Sequence, residues 1–127
     1  MKKILVVDDA PEIGILMEDI LTPLEFEVSS APSASAALEK IHQDLPDLIL
    51  LDIMMPDKDG YRFCEELKNS AFGNIPVIML TVKRSKEDVE RGYEVGASDY
   101  VTKPFDPDDL VARIKKILEK KSKTIPA

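Results

Sequence analysis

Apolar residues alternate along this chain between short continuous runs and longer stretches with helical spacing. The runs at 4–7 and 48–51 contain only aliphatic residues, which is typical of parallel strands covered on both faces. Between the runs, apolar residues recur every three or four positions, as in helices that pack one face on a sheet. The pattern predicts strands at 3–8, 26–30, 47–51, 76–80 and 98–101 and helices at 11–23, 33–44, 59–70, 85–95 and 106–120.

The regular alternation of strand and helix predicts an α/β fold, a doubly wound parallel sheet of five strands with five helices. In such a sheet the ligand site lies outside the carboxyl ends of the strands. The apolar stripe of the first helix is predicted at Ile13, Leu16, Met17, Ile20, Leu21 and Leu24, and that of the second at Ala34, Ala37, Leu38 and Ile41.

The fourth predicted helix differs from the others because its apolar face is thin. Ser85 and Asp88 resemble a capping box, and Gly92 lies in the middle of the helix. Little burial and a central glycine both lower local stability. We therefore expect this helix to be the most mobile element of the fold.

Composition limits the classes of function. With 127 residues, 44% hydrophobic and 32% charged, the chain is long enough for one globular domain, predicted at 1–121, followed by a tail or linker at 122–127. A net charge of −7 argues against direct nucleic-acid binding by this domain. The apolar runs are too short to span a membrane, and a single cysteine, Cys64, fits a reducing cytoplasmic location.

Acidic residues follow two of the predicted buried strands. Asp8 and Asp9 come after the first strand, and Asp52 comes after the third. Burying an unpaired carboxylate costs on the order of several kcal/mol unless the group is protonated or paired with a positive charge. The three acids therefore suggest a shared cation such as Mg²⁺, which prefers oxygen ligands. A helix N-cap role for Asp9, just before Pro11, is an equally good interpretation of that residue alone.

Two further polar residues fall at the same edge of the predicted sheet. Thr81 follows the fourth strand and Lys103 follows the fifth, within Tyr100-Val-Thr-Lys-Pro-Phe. Taken singly, Thr81 is a strand-end hydroxyl, Lys103 a surface charge and Tyr100 a core residue. Together with the acids, and with the segment Asp52-Ile-Met-Met-Pro-Asp-Lys-Asp-Gly, they resemble the receiver domain of two-component response regulators over nearly the whole chain.

The resemblance implies a role for each of these positions. It implies the flavodoxin-like strand order 2-1-3-4-5, a cis Lys103-Pro104 bond, and Asp52 as acceptor of a phosphoryl group. Asp8, Asp9, Asp52 and the backbone carbonyl of Met54 would hold Mg²⁺. Thr81 and Lys103 would contact the phosphoryl oxygens, and Tyr100 would be an aromatic switch that moves between outward and inward positions.

The resemblance also implies partners. The phosphodonor would be a sensor histidine kinase or a histidine phosphotransfer protein. Glu94, Asp99, Arg113 and Lys115 resemble the charged positions of a face through which some regulators dimerise on phosphorylation. The chain could act alone, or belong to a longer transcription regulator or to a hybrid kinase, and the sequence does not choose among these.

Two other classes of protein compete with this interpretation. A phosphatase of the haloacid dehalogenase type also uses an aspartyl nucleophile, but it requires a second acid where this chain has Met54. A flavodoxin-like electron carrier requires a hydroxyl- and glycine-rich phosphate loop after the first strand. Here that loop begins with Asp8 and Asp9, which would repel a phosphate.

Overall fold

The structure is a computed structural model that describes the backbone of residues 1–123 and the side chains of residues 1–120. Over the described residues the secondary structure alternates between strand and helix, as the sequence predicts. The elements are β1 Lys2–Val7, α1 Pro11–Leu21, a 3₁₀ turn Thr22–Leu24, β2 Phe26–Ala31, α2 Ala34–Gln43, β3 Leu48–Leu51, α3 Gly60–Lys68, β4 Val77–Thr81, α4 Lys86–Glu94, β5 Asp99–Thr102 and α5 Pro107–Lys123.

The five strands form one parallel sheet in the order β2-β1-β3-β4-β5, which confirms the predicted fold class and strand order. The register places the acids side by side, because Val7 pairs with Leu51 and the chain leaves both strands at the next residue. The Asp52 amide donates a 2.9 Å hydrogen bond to the Val7 carbonyl. Thr81 pairs with Thr102 at the ends of β4 and β5.

Two apolar layers cover the faces of the sheet. The inward faces of α2 and α3 pack on one side, together with Tyr100, and those of α1 and α5 pack on the other. Cys64 is fully buried in the first layer, and burial raises the pKa of its thiol to about 11. Cys64 is therefore a small core residue.

The predicted stripe of α1 is wrong in detail. Leu16 is 39% exposed, and α1 ends at Leu21, so that Leu24 lies in the 3₁₀ turn and is 42% exposed. The cause is the close approach of α1 to β2 at Gly14, where an added Cβ would come within 2.7 Å of the Ser30 Oγ. This contact centres the buried face on Gly14, Met17 and Leu21 and turns Leu16 to the edge. Leu38 on α2 is likewise 39% exposed.

Helix α4 has the thin buried face that its sequence predicts, with only Gly92 classed as buried along its length. The predicted capping box is present, because the Ser85 hydroxyl accepts from the Asp88 amide and the Asp88 carboxylate accepts from the Ser85 amide.

At the other end of the chain, α5 continues to Lys123, three residues beyond the predicted end of that helix. The rest of the predicted tail, residues 124–127, lies outside the described residues. Among the helices described, none combines the length and apolar character needed to cross a bilayer.

Candidate functional site

Three carboxylates meet at the carboxyl ends of β1 and β3. Asp8, Asp9 and Asp52 each place an oxygen within 4.8 Å of the others. Asp8 and Asp52 are 7% and 8% exposed, whereas Asp9 is exposed. Burial favours the neutral form of a carboxyl group, and burial is the main reason that the pKa of Asp8 is raised. The site is thus acidic and partly desolvated, as the sequence predicts.

The Lys103 ammonium lies against two of these acids. Its Nζ is 2.7 Å from Asp8 Oδ2 and 3.3 Å from Asp52 Oδ2. Burial acts to lower the pKa of Lys103, but the hydrogen bond to Asp8 and the charge of Asp52 outweigh it and raise the pKa. The Lys103-Pro104 bond is cis, as the resemblance implies. Lys103 is therefore a fixed positive charge within the cluster and not a solvated surface charge.

The N-cap interpretation of Asp9 is wrong. The N-cap of α1 is Ala10, and no side chain caps this helix. The Ala10 amide instead donates to Asp8 Oδ1 at 2.9 Å, across two residues. Asp8 therefore stabilises the start of the loop, and the Asp9 carboxylate is directed to the acidic cluster.

The loop after β3 holds Asp52 through its backbone. The Met54 amide donates to Asp52 Oδ1 at 3.1 Å, and the Gly60 amide donates to the Ile53 carbonyl at 2.8 Å. Gly60 has no room for a side chain, because a Cβ would lie 2.6 Å from both the Asp52 carbonyl oxygen and the Ile53 Cα. Met54, two residues after Asp52, is 53% exposed. The second carboxyl oxygen of Asp52 is thereby left facing Lys103.

The loop after β4 connects Thr81 to Tyr100. The Thr81 hydroxyl is fully buried and accepts from the Lys83 amide at 3.4 Å, and the Tyr100 hydroxyl donates to the Lys83 carbonyl at 2.8 Å. Tyr100 is 8% exposed, so the ring lies in the inward position. Arg84 extends the connection, because its guanidinium donates to the Lys103 carbonyl at 2.8 Å. Sequence reasoning missed Arg84, since nothing in its neighbourhood of the sequence predicts a bond to a backbone carbonyl nineteen residues away.

Gly92 makes the inward position of Tyr100 possible. A Cβ on Gly92 would lie 2.7 Å from Cδ2 and 2.9 Å from Cε2 of the Tyr100 ring. From the sequence, Gly92 is expected only to lower the local stability of α4. The structure shows that its missing side chain also creates the space that the ring occupies.

The donor set of the acidic cluster suits a small hard cation. Receiver domains bind Mg²⁺ at an acidic pocket of this kind, and Mg²⁺ prefers carboxylate, carbonyl and water oxygens in six-fold coordination. Three carboxylates converge here, and Lys103 neutralises at most one of their charges. The residues present therefore fit a divalent cation.

The four residues of the predicted dimer face are of two kinds. Arg113 is engaged within the chain, donating to Asp99 Oδ1 at 2.7 Å and to Asp109 Oδ2 at 2.9 Å. Glu94 on α4 and Lys115 on α5 are exposed. The face thus has one internal ion pair and two outward charges.

The fold and the acidic cluster indicate a signalling domain, and comparison with known proteins agrees. The family model described as "Response regulator receiver domain" matches residues 4–115. The chain belongs to the response regulator receiver domain family, a family of signalling domains of two-component systems. This membership decides against the phosphatase and the flavin carrier.

Its curated relatives are longer transcriptional regulators. The chain is 41% identical over 122 residues to the probable transcriptional regulator ycf27 of Guillardia theta, covering 96% of this chain and 47% of that protein. It is 40% identical over 126 residues to the alkaline phosphatase synthesis transcriptional regulatory protein PhoP of Bacillus subtilis, covering 99% of this chain and 52% of that protein. The chain thus spans about half the length of these curated relatives.

A solved structure shows the same fold. The CheY-like response regulator receiver domain protein of Methanospirillum hungatei JF-1 superposes with a TM-score of 0.89 at 34% identity, covering 97% of this chain and 98% of that one. The similarity therefore extends over the whole described fold, including the strand ends that form the acidic cluster.

Proposed function

We propose that this domain is a phosphorylation-dependent switch in which Asp52 accepts a phosphoryl group from a phosphohistidine. The donor would be a sensor histidine kinase or a histidine phosphotransfer protein. The observation that carries the proposal is the placement of Asp52, which is buried at a strand end, held at one oxygen by the Met54 amide and faced by Lys103 at the other. A carboxylate held in this way is an oriented nucleophile with a positive charge beside it.

The transfer needs no base, because Asp52 attacks as the carboxylate. One of its oxygens forms the new P–O bond while the P–N bond to the donor imidazole breaks, and the electron pair of that bond leaves with the imidazole. Charge develops on the phosphoryl oxygens during this exchange. In this structure Lys103 contacts both Asp8 and Asp52. During transfer it would pair with one of the phosphoryl oxygens.

Asp8, Asp9, Asp52 and the Met54 carbonyl would hold Mg²⁺, which when bound offsets the repulsion between the acids and an incoming phosphate. The domain would assist its own phosphorylation and dephosphorylation in this way, without being an enzyme that acts on other substrates. The chain's own contribution is the orientation of Asp52 and the fixed charge of Lys103.

The result of phosphorylation would be read at α4, β5 and α5. The buried Thr81 hydroxyl would turn to a phosphoryl oxygen and carry the loop at 82–85 with it. That loop already holds the Tyr100 hydroxyl through the Lys83 carbonyl. Because α4 buries little surface, a small displacement of this loop is enough to change its position.

Intact mass after incubation with acetyl phosphate tests the proposal. We expect a single added phosphoryl group in the presence of Mg²⁺ and none when EDTA removes the ion, with peptide mapping placing the group on Asp52. If acetyl phosphate is not accepted, a phosphohistidine protein supplies the donor. Absence of an adduct with both donors would contradict the proposal.

Replacing Thr81 by valine separates phosphorylation from its consequence. Valine keeps the shape of threonine but has no hydroxyl, so Thr81→Val should accept the phosphoryl group to the same stoichiometry as wild type. Phosphorylation should then no longer change amide hydrogen exchange in α4, measured by mass spectrometry. The matched control is Thr102→Val on the paired position of β5, which should keep the full response. An unchanged response in Thr81→Val would remove Thr81 from the pathway.

We also propose that the domain, residues 1–121, is the receiver half of a longer transcriptional regulator in the cytoplasm, with residues 122–127 leading into a linker. The length and the names of its relatives support this. Phosphorylation would favour a homodimer through Glu94, Asp99, Arg113 and Lys115. Exposed ion pairs of this kind set orientation more than affinity.

A further inference from the structure

Helix α4 is attached to the first turn of α3 by one aromatic residue, Tyr61. Its ring is 3% exposed, and its hydroxyl donates a 2.9 Å hydrogen bond to the Asp88 carbonyl in the first turn of α4. The Arg91 guanidinium, one turn later, lies 4.4 Å above the centre of the Tyr61 ring. A cation over an aromatic face is attractive, so the same ring holds α4 at two successive turns.

Tyr61 is also connected to the loop between β3 and α3, residues 52–59, which contains Asp52 and is called the phosphoacceptor loop below. Its amide donates to Asp59 Oδ1 at 2.7 Å, and the preceding residue, Gly60, contacts the backbone of Asp52 and Ile53 directly. The Asp59 carboxylate in turn lies 4.0 Å from the Arg91 guanidinium. A displacement of the loop after Asp52 would therefore move Tyr61, and Tyr61 would move α4.

The contacts with Tyr61 are a large share of what holds α4 in place, because this helix buries little of its own surface. Within α4, Gly92 is the one buried residue. Tyr61 and Tyr100 belong to the same buried apolar layer. Burial first, and then the Tyr61 hydroxyl, raise the pKa of Tyr100.

We propose that Tyr61, with Arg91 over its ring, is a positioning residue that carries the state of the phosphoacceptor loop to α4 by a route that does not pass through Thr81 and the loop after β4. The proposal rests on the proposed function, since the signal it carries is phosphorylation of Asp52. It assigns a signalling role to the contact between α3 and α4, in addition to the connection through the loop after β4.

Tyr61→Phe tests the proposal by removing one hydroxyl and leaving the ring. Loss of one hydrogen bond should raise amide exchange in α4 of the unphosphorylated protein about fivefold. The change in α4 exchange caused by acetyl phosphate and Mg²⁺ should fall to less than about half of the wild-type change, while phosphoryl uptake by intact mass stays as in wild type. Arg91→Gln should act in the same direction, and Arg91→Lys, which keeps a cation, should restore much of the response.

Tyr93→Phe is the matched control. Tyr93 lies on the same helix, is 47% exposed, and its hydroxyl contacts Asp99 Oδ1 at 3.2 Å. This variant should leave both α4 exchange and its response near wild type.

Two results would overturn the proposal: a Tyr61→Phe effect no larger than that of Tyr93→Phe, or a faster exchange spread equally over α1 and α2. If wild type takes up no phosphoryl group from either donor, the proposed function fails instead. The exchange of α4 in the unphosphorylated variants still decides whether Tyr61 holds this helix.

Discussion

Asp52→Asn should take up no phosphoryl group that intact mass can detect, a loss of more than about a thousandfold in the rate of transfer. The asparagine amide is a poor nucleophile toward phosphorus, and asparagine keeps the shape of aspartate. Its one carbonyl oxygen can still accept from the Met54 amide, but its NH2 group cannot accept from Lys103 as Asp52 Oδ2 does. The variant should remain folded, because three carboxylates share one lysine in this cluster. Removing one negative charge lowers their mutual repulsion.

The control for Asp52→Asn is Asp57→Asn in the same loop. The Asp57 carboxylate accepts from the Ala34 and Ser35 amides at 3.0 Å each, at the start of α2, and takes no part in the acidic cluster. Asp57→Asn should be phosphorylated as wild type. An adduct that persists in Asp52→Asn would place the acceptor on another residue, and peptide mapping would identify it.

The strand order and the acidic cluster could be predicted because they depend on features that are local in the sequence. A continuous apolar run marks a strand covered on both faces, and parallel strands bring their carboxyl ends to one edge. Asp8, Asp9, Asp52, Thr81 and Lys103 could therefore be placed at that edge before the fold was seen. The boundaries moved by one to three residues, as is usual where helix ends fray.

The misplaced residues depended on contacts that a single helix does not encode. Leu16 follows the helical period, yet the approach of α1 to β2 at Gly14 rotates the buried face away from it. Asp9 has the spacing of an N-cap, but Asp8 accepts the bond from the Ala10 amide. Residue spacing describes one element, whereas these outcomes are decided where two elements meet.

The attachment of α4 to α3 shows the same limit. Tyr61 and Arg91 are thirty residues apart in the chain and belong to different helices. No periodic pattern connects a side chain on α3 with a carbonyl on α4. Contacts of this kind are set by the packing of one helix on another and have no signature in the spacing of residues along the chain.

Gly60→Ala should destabilise the fold by about 3 kcal/mol. The added Cβ would lie 2.6 Å from the Asp52 carbonyl oxygen and from the Ile53 Cα. Both are backbone atoms that cannot rotate away, so α3 or the phosphoacceptor loop must shift. Urea unfolding followed by circular dichroism measures the loss as a lower midpoint with an unchanged slope. Because the shift displaces the backbone of Asp52, phosphoryl uptake should also fall about tenfold or more.

Gly14→Ala is the matched control for Gly60→Ala. There the new Cβ would come within 2.7 Å of the Ser30 Oγ, which can turn to another rotamer, and within 3.2 Å of the Ser30 Cβ, which requires a shift of only a few tenths of an ångström. Alanine also favours the helix by roughly 0.5–1 kcal/mol over glycine, so Gly14→Ala should change stability by less than about 1 kcal/mol. Equal losses in the two variants would mean that general crowding, and not the backbone contact between Gly60 and the phosphoacceptor loop, sets the cost.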